Sequence, residues 1–321
     1  MNLYPLTFEP IFKERVWGGR NLQSLYGKAL PPGQRVGESW ELSDRPGDES
    51  VVAGGSLRGR TLRWLMEHCP DELLGPRAPA ARFPLLIKII DAQETLSLQV
   101  HPPPAAAARL GGEPKTEMWY VTHARPGAEL FVGLKKGVSR EEFERKLADH
   151  TVAECFHRIV ARPGGAMFLP SGRVHALGAG LVIFEVQQNS DTTYRVFDWN
   201  RAGLDGKPRE LHVPQSLASI DFQDFEPALL PDKPAADHPG TTRPLVRDPL
   251  FSACVKHWAD GDHMAWPAGR MSILGVLSGA LRIEGAGETV ELGAGEFCLI
   301  PASCNGVTVR AQGEVFFMEI E

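Results

Sequence analysis

In Leu96-Ser97-Leu98-Gln99-Val100-His101, three polar residues alternate with three apolar ones, so a strand here turns Ser97, Gln99 and His101 to one face. Polar groups aimed into an interior cost free energy unless something pairs with them, and a bound cation would do so. Glu117, in Lys115-Thr116-Glu117-Met118-Trp119-Tyr120, and His175, behind a Pro170-x-Gly172 turn, add a carboxylate and a second imidazole. One amide oxygen, one carboxylate and two imidazoles form a borderline-soft set that suits Zn, with Fe, Mn, Co or Ni also accommodated, and leaves positions open for a substrate. Either histidine alone would read as an ordinary satisfied residue. The strand alternation and the turn motif together favour a metal centre.

Arg195 and Arg201 lie six apart in Tyr194-Arg195-Val196-Phe197-Asp198-Trp199-Asn200-Arg201. Even spacing on a strand would send both into one pocket, where guanidinium forks suit phosphate oxygens. Arg201, close to the turn at Gly203 to Gly206, equally suits a solvated surface position. Lys88 interrupts the apolar run Leu85 to Ile90, either as the snorkelling end of an edge strand or as an active-site cation. Glu185 alternates with Phe184 and Val186, so its carboxylate points either into the barrel or out of it. Trp17, followed by Gly18 and Gly19, is either a ligand-facing wall or core packing.

The elements that must position these groups read as mostly β. Glycine and proline supply 33 and 26 residues and punctuate short runs rich in Val, Ile, Leu and Phe. Strands are expected at 37–42, 85–100, 130–132, 165–169, 181–186 and 193–198. Leu62 to Leu74 carries an apolar helical stripe, and Ser139-x-x-Glu142 opens a second short helix with a capping-box signal. From Pro227 to Arg247 the composition shifts to a linker. Beyond it, 273–281, 281–284, 289–292, 296–300, 306–310 and 314–319 read as the strands of a smaller barrel. The expected organisation is therefore an N-terminal catalytic domain over 1–235 and a C-terminal barrel over 236–321. The phrase Gly164-x5-Pro170-x-Gly172-x2-His175 returns as Gly295-x5-Pro301-x-Ser303-x2-Gly306, a weak internal repeat without the histidine, so only the first copy is equipped for metal.

Composition narrows the function classes. A chain of 321 residues has room for two cores. No stretch approaches the roughly 20 unbroken apolar residues of a bilayer span, and Met1 to Pro10 lack a basic segment leading into an apolar run, so a cytoplasmic protein is expected. Five scattered cysteines without a CxxC pair read as reduced thiols. A net charge of −6 gives no footprint for nucleic acid or an anionic membrane. A small anion at a local basic cluster remains open, and the partner expected is a small molecule, with the chain a monomer or homodimer.

Six phrases occur together in order: Gly37-Glu38-Ser39-Trp40-Glu41, Phe83-Pro84-Leu85-Leu86-Ile87-Lys88, Leu98-Gln99-Val100-His101-Pro102, Lys115-Thr116-Glu117-Met118-Trp119, the stretch from Pro170 to Gly178, and Ser190-Asp191-Thr192-Thr193-Tyr194-Arg195. On these, and from Val16-Trp17-Gly18-Gly19 into the C-terminal barrel, the chain resembles type I mannose-6-phosphate isomerases, particularly the short bacterial form. The resemblance implies a bicupin, two β-barrel units with a few small helices. It also implies one metal per chain, usually Zn2+, on Gln99, His101, Glu117 and His175. The activity implied is interconversion of mannose 6-phosphate and fructose 6-phosphate through a cis-enediol. Glu185 matches a carboxylate discussed as the base, Lys115 and Lys88 match active-site lysines, and Ser97 matches a phosphate donor. Two departures stand out. Ala179 occupies the place where cupins in general carry Asn, and the large helical insertion of the long enzymes is missing. The rival readings are a metal dioxygenase of the cupin class and a non-catalytic sugar-phosphate-binding cupin.

Overall fold

The computed structural model describes residues 3–76, 81–231 and 238–321. Three antiparallel sheets dominate it. The first has six strands in the order Ala166–Leu169, Glu117–Ala124, Leu181–Gln188, Leu85–Ala92, Val36–Leu42 and Ile11–Gly19. The second has five, in the order Phe156–Val160, Glu129–Leu134, His175–Leu177, Leu98–Val100 and Tyr194–Phe197. These two enclose the N-terminal barrel. The third, of seven strands, forms the C-terminal barrel around the long strands Ser272–Gly285 and Thr308–Ile320. This is the mostly β, two-barrel cupin architecture that the sequence implies.

Side-chain alternation divides the six-stranded sheet into two faces. Leu85, Ile87 and Ile89, with Met118, Val182, Phe184 and Val186, belong to one large core that also takes in the helices and C-terminal residues such as Phe297 and Leu299. Lys88, Ile90, Trp119 and Glu185 turn the other way, into the barrel. Burial on both faces explains why the 85–92 run reads as almost unbroken hydrophobicity. In the five-stranded sheet, Leu98, Val100 and Val196 face an outer core under the Arg140–Ala148 and Val213–Ser219 helices. The interior of the C-terminal barrel is filled by Trp258, Trp266, Leu274, Val276 and Phe317, among others.

Several elements differ from the sequence reading. The expected helix Leu62 to Leu74 breaks into Leu62–His68 and Pro70–Leu74, because Pro70 has no N–H to donate and its ring excludes a helical conformation at Cys69. The run 85–100 is two strands in different sheets, Leu85–Ala92 and Leu98–Val100, joined by a turn. The linker is shorter than expected, since Thr241–Arg247 is a strand of the C-terminal barrel. The domain boundary at 235/236 lies outside the described residues. The pairs 273–281/281–284 and 306–310/314–319 are each one continuous strand, with irregular register where Gly279 adopts a positive φ. The internal repeat has a structural counterpart: Gly164 and Gly295 both hold φ near +80° ahead of matching four-residue strands, Ala166–Leu169 and Phe297–Ile300. All five cysteines are free. No helix among the described residues is long and apolar enough to cross a membrane.

Candidate metal centre and cavity

His175 opens its strand directly opposite Gln99, and Glu117 opens the Glu117–Ala124 strand of the facing sheet. His101 follows one residue after the strand that carries Gln99. Four side chains from both sheets therefore meet inside the barrel. Glu117 Oε1 lies 3.2 Å from His175 Nε2, and its Oε2 lies 3.5 Å from His101 Nε2. The Gln99 amide nitrogen is 3.2 Å from His175 Nε2, so a half-turn of that amide would present its oxygen to the same point. His101, Glu117 and His175 are almost fully buried, and they are the one group of three His, Cys, Asp or Glu ligands that converges among the described residues.

The surroundings prepare these groups for a cation. Each imidazole donates its Nδ1 hydrogen to a backbone carbonyl, His101 to Thr192 and His175 to Arg173, both at 2.9 Å. That leaves both Nε2 lone pairs aimed at Glu117. Burial, helped by the Lys115 charge, pushes His101 down to about 3, and burial also lowers His175, so both rings are neutral. Burial alone would raise Glu117, but the Lys115 ammonium beside it overcomes this and holds its carboxyl well below the usual range. Both Glu117 oxygens are buried without a well-aligned hydrogen-bond donor. A buried carboxylate so placed, facing two lone pairs, fits a divalent ion.

Above these ligands lies a cavity of about 520 Å³. Cross-strand register places Trp119, Glu185, Lys88 and Trp40 in one row across four strands. Glu185 accepts from Trp119 Nε1 at 2.9 Å and pairs with Lys88 at 3.2 Å. Burial, then the Glu117 charge, raises the Glu185 pKa against the pull of Lys88 and Lys115. Lys115 bridges the centre and the cavity, 2.9 Å from Glu117 and 3.2 Å from His101 Nε2. Burial would lower its pKa, yet Glu117 and Glu185 raise it, so the ammonium stays charged.

The structure decides among the readings left open above. Glu185 faces inward, since Phe184 and Val186 occupy the outer core. Lys88 is on a central strand, not an edge, and is buried with its ammonium 5.1 Å over the Trp40 ring. Trp17 both packs in the barrel core and lines the cavity. Its neighbouring glycines serve strand packing rather than ligand approach: a Cβ at Gly18 would lie 2.4 Å from the Gly37 nitrogen, and one at Gly19 would meet Gln93 at 2.2 Å. Ser97, Gln99 and Arg195 line the cavity, and Ser97 Oγ donates to the Gln99 oxygen at 3.4 Å. Arg201 does not. The strand ends at Phe197, and Trp199 and Asn200 take left-handed conformations that turn the chain aside, so the even spacing fails and Arg201 binds Asp198 and the Thr95 carbonyl instead. Sequence reasoning passed over six charged wall residues, Glu14, Arg15, Glu38, Asp191, Asp205 and Arg209. Glu38 sits within a quoted phrase, where its alternation with Trp40 was the available signal. Arg209 had none, because it reaches the wall from an irregular loop.

Comparison with known proteins agrees with this geometry. A family model described as phosphomannose isomerase type I, catalytic domain, matches residues 6–113. The probable mannose-6-phosphate isomerase GmuF of Bacillus subtilis is 35% identical over 97% of this chain and 98% of its own length. Mannose-6-phosphate isomerase ManA of the same organism is 41% identical over 69% of each chain. A crystal structure of the mannose 6-phosphate isomerase from Bacillus subtilis superposes with a TM-score of 0.88 at 30% identity, covering 99% of this chain and 100% of that one. A buried His-Glu-His centre beneath a charged cavity, in a chain alike in sequence and fold across almost its whole length, belongs to the type I mannose-6-phosphate isomerase family.

Proposed function

We propose that this chain is a metal-dependent aldose-ketose isomerase that interconverts mannose 6-phosphate and fructose 6-phosphate. The observation that carries it is the placement of the neutral imidazoles and ionised carboxylate directly beneath a cavity lined by Glu185, Lys88, Lys115 and Arg195. The reaction removes the proton on C2 of the open-chain aldose and returns one to C1, with the O1 and O2 protons redistributed through a cis-enediol. Gln99, His101, Glu117 and His175 would hold one ion, and their mixed N and O donors suit zinc. That ion, when bound, supplies Lewis-acid stabilisation of the negative charge that develops on the sugar as the C–H bond breaks.

The chain's own residues supply the rest. Glu185 is the candidate base, because burial and Glu117 make its carboxylate a better proton acceptor than an exposed one. Trp119 and Lys88 fix both of its oxygens from either side. Lys115 stays charged and favours the developing oxyanion. Arg195 presents a guanidinium to the sugar's phosphate, with Ser97 as a hydroxyl donor nearby. Assaying conversion of fructose 6-phosphate to mannose 6-phosphate without oxygen, before chelation, after it and after zinc is restored, tests the reading. Turnover that disappears and returns with the metal supports it; an inactive zinc-loaded protein, or one that needs oxygen, refutes it.

A further inference from the structure

Asp198 lies behind the cavity wall, almost fully buried, at the end of the Tyr194–Phe197 strand. Its carboxylate takes two arginines at once. Arg209 donates Nε to Oδ2 at 2.6 Å and Nη2 to Oδ1 at 2.5 Å, a bidentate fork. Arg201 donates Nε and Nη2 to Oδ1 at 3.0 and 2.8 Å and extends Nη1 to the Thr95 carbonyl at 2.6 Å. The intervening segment doubles back through a turn closed by Gly203 N to the Lys207 carbonyl, at 2.7 Å, with Ala202 bridged to Pro208. Two consecutive left-handed residues, Trp199 and Asn200, start that excursion, a backbone arrangement that persists only where its surroundings enforce it.

Of Asp198 and its two arginines, only Arg209 lines the cavity, whose wall also takes in Arg195 and the turn residues Gly203, Leu204 and Asp205. Arg195 gives Nη1 to the Glu210 carbonyl at 2.8 Å, while its buried Nε has no hydrogen-bond partner among the described residues. The two guanidiniums are close enough that the Arg209 charge disfavours that of Arg195, after burial. Like charges held together without a bound anion need an opposing charge and a rigid mount, and Asp198 provides both.

We propose that Asp198 is a positioning residue for the substrate's phosphate, fixing Arg209 at the wall beside Arg195 so that two guanidinium groups receive one phosphoryl dianion. This rests on the isomerase reading of the same cavity. Arg201 is then a brace: it closes the second face of Asp198 and ties it to the turn that precedes Ser97.

The test compares zinc-loaded wild type with Asp198→Asn, Asp198→Glu and Arg209→Gln, and measures kcat, KM for mannose 6-phosphate and inhibition by inorganic phosphate. Removing the carboxylate should raise KM and the phosphate inhibition constant together by about tenfold, with the change in kcat much smaller. Asp198→Glu should recover part of the loss, which a merely structural role would not require. Wild-type KM and phosphate inhibition in Asp198→Asn would overturn the assignment. Where Asp198→Asn does not fold, Arg209→Gln decides, with unchanged phosphate inhibition as the contrary result. Calorimetric binding of inorganic phosphate to the same proteins needs no turnover, so it separates failure of this assignment from failure of the isomerase reading.

Discussion

Glu117 illustrates how residue type and environment divide the work at the smallest scale. The same side chain on a surface would be a solvated acid; here the Lys115 ammonium keeps it ionised in a buried interior, facing two imidazole nitrogens. Glu185, on the neighbouring strand of the same sheet, is pushed the opposite way by burial and by Glu117 itself. Two carboxylates whose environments separate their pKa values suggest distinct roles, ligand and base. Glu185→Gln is accordingly expected to lower kcat by about 10²–10⁴-fold while metal content stays at the wild-type level. Because the proton acceptor must be ionised and its pKa is raised, the acid limb of the wild-type rate profile should lie above the ordinary carboxylate value of 4.5. An acid limb unmoved by Glu185→Gln would assign the base elsewhere. Glu38 provides a stability counterpart. Burial would raise its pKa, but Arg15 and Lys88 bring it down to about 2 from 4.5. A depressed carboxylate stabilises the fold above its unfolded value, and that contribution disappears as pH falls from 4.5 towards 2. In that window, stability measured by denaturant titration should fall less steeply for Glu38→Gln than for wild type, by up to about 1.4 kcal/mol per pH unit. The side chains that converge at the candidate metal centre were legible in sequence because strand alternation and a turn motif point to them. The orientation of Glu185 was not, since period-two alternation names two faces without saying which is inside.

Among the elements, the barrel-facing strands show where local pattern ends and tertiary context begins. Ser139 caps the Arg140–Ala148 helix by accepting from the Glu142 nitrogen at 3.1 Å, as its capping-box signal implies. Pro70, by contrast, splits the apolar stripe at Leu62 to Leu74, a break the stripe alone conceals. Arg201 fails for a related reason: its spacing from Arg195 assumes that the strand continues, and left-handed Trp199 and Asn200 end it. The pairing of Ile11–Gly19 with Val36–Leu42 depends on Gly18 and Gly37 meeting without side chains. Gly18→Ala would press a Cβ against backbone that has no means of yielding, at an expected cost of about 1–3 kcal/mol. The neighbouring Trp17 should shift with it, so KM for mannose 6-phosphate should rise alongside a lower melting temperature. A variant as stable as wild type would show that this strand pair is looser than its geometry implies.

For the whole molecule, one hydrophobic core links both barrels. Phe184, on the outer face of the catalytic sheet, packs against Phe297 of the C-terminal barrel, the tilted rings 5.0 Å apart between centroids. Leu6 and Leu299 exchange two backbone hydrogen bonds at 2.8 Å, and Ala302 and Ser303 donate to the carbonyls of Leu73 and Glu72. The C-terminal barrel therefore covers the back of the sheet that carries Glu117, Glu185 and Lys88. Phe297→Ala should cost about 3 kcal/mol, and thermal unfolding should stay a single transition. Two resolved transitions would mean that the barrels fold independently. Sequence reading identified two barrels and the repeat that relates them. It did not reveal their shared core, because alternation shows which residues are buried but not which partner buries them.

The account depends above all on one ion held inside the N-terminal barrel. Anomalous diffraction at the zinc edge from crystals of the zinc-loaded protein tests this directly. The expected result is one peak per chain within bonding distance of Gln99, His101, Glu117 and His175, lost in His101→Ala. A peak at some other group of side chains, or one that persists unchanged without His101, would contradict it.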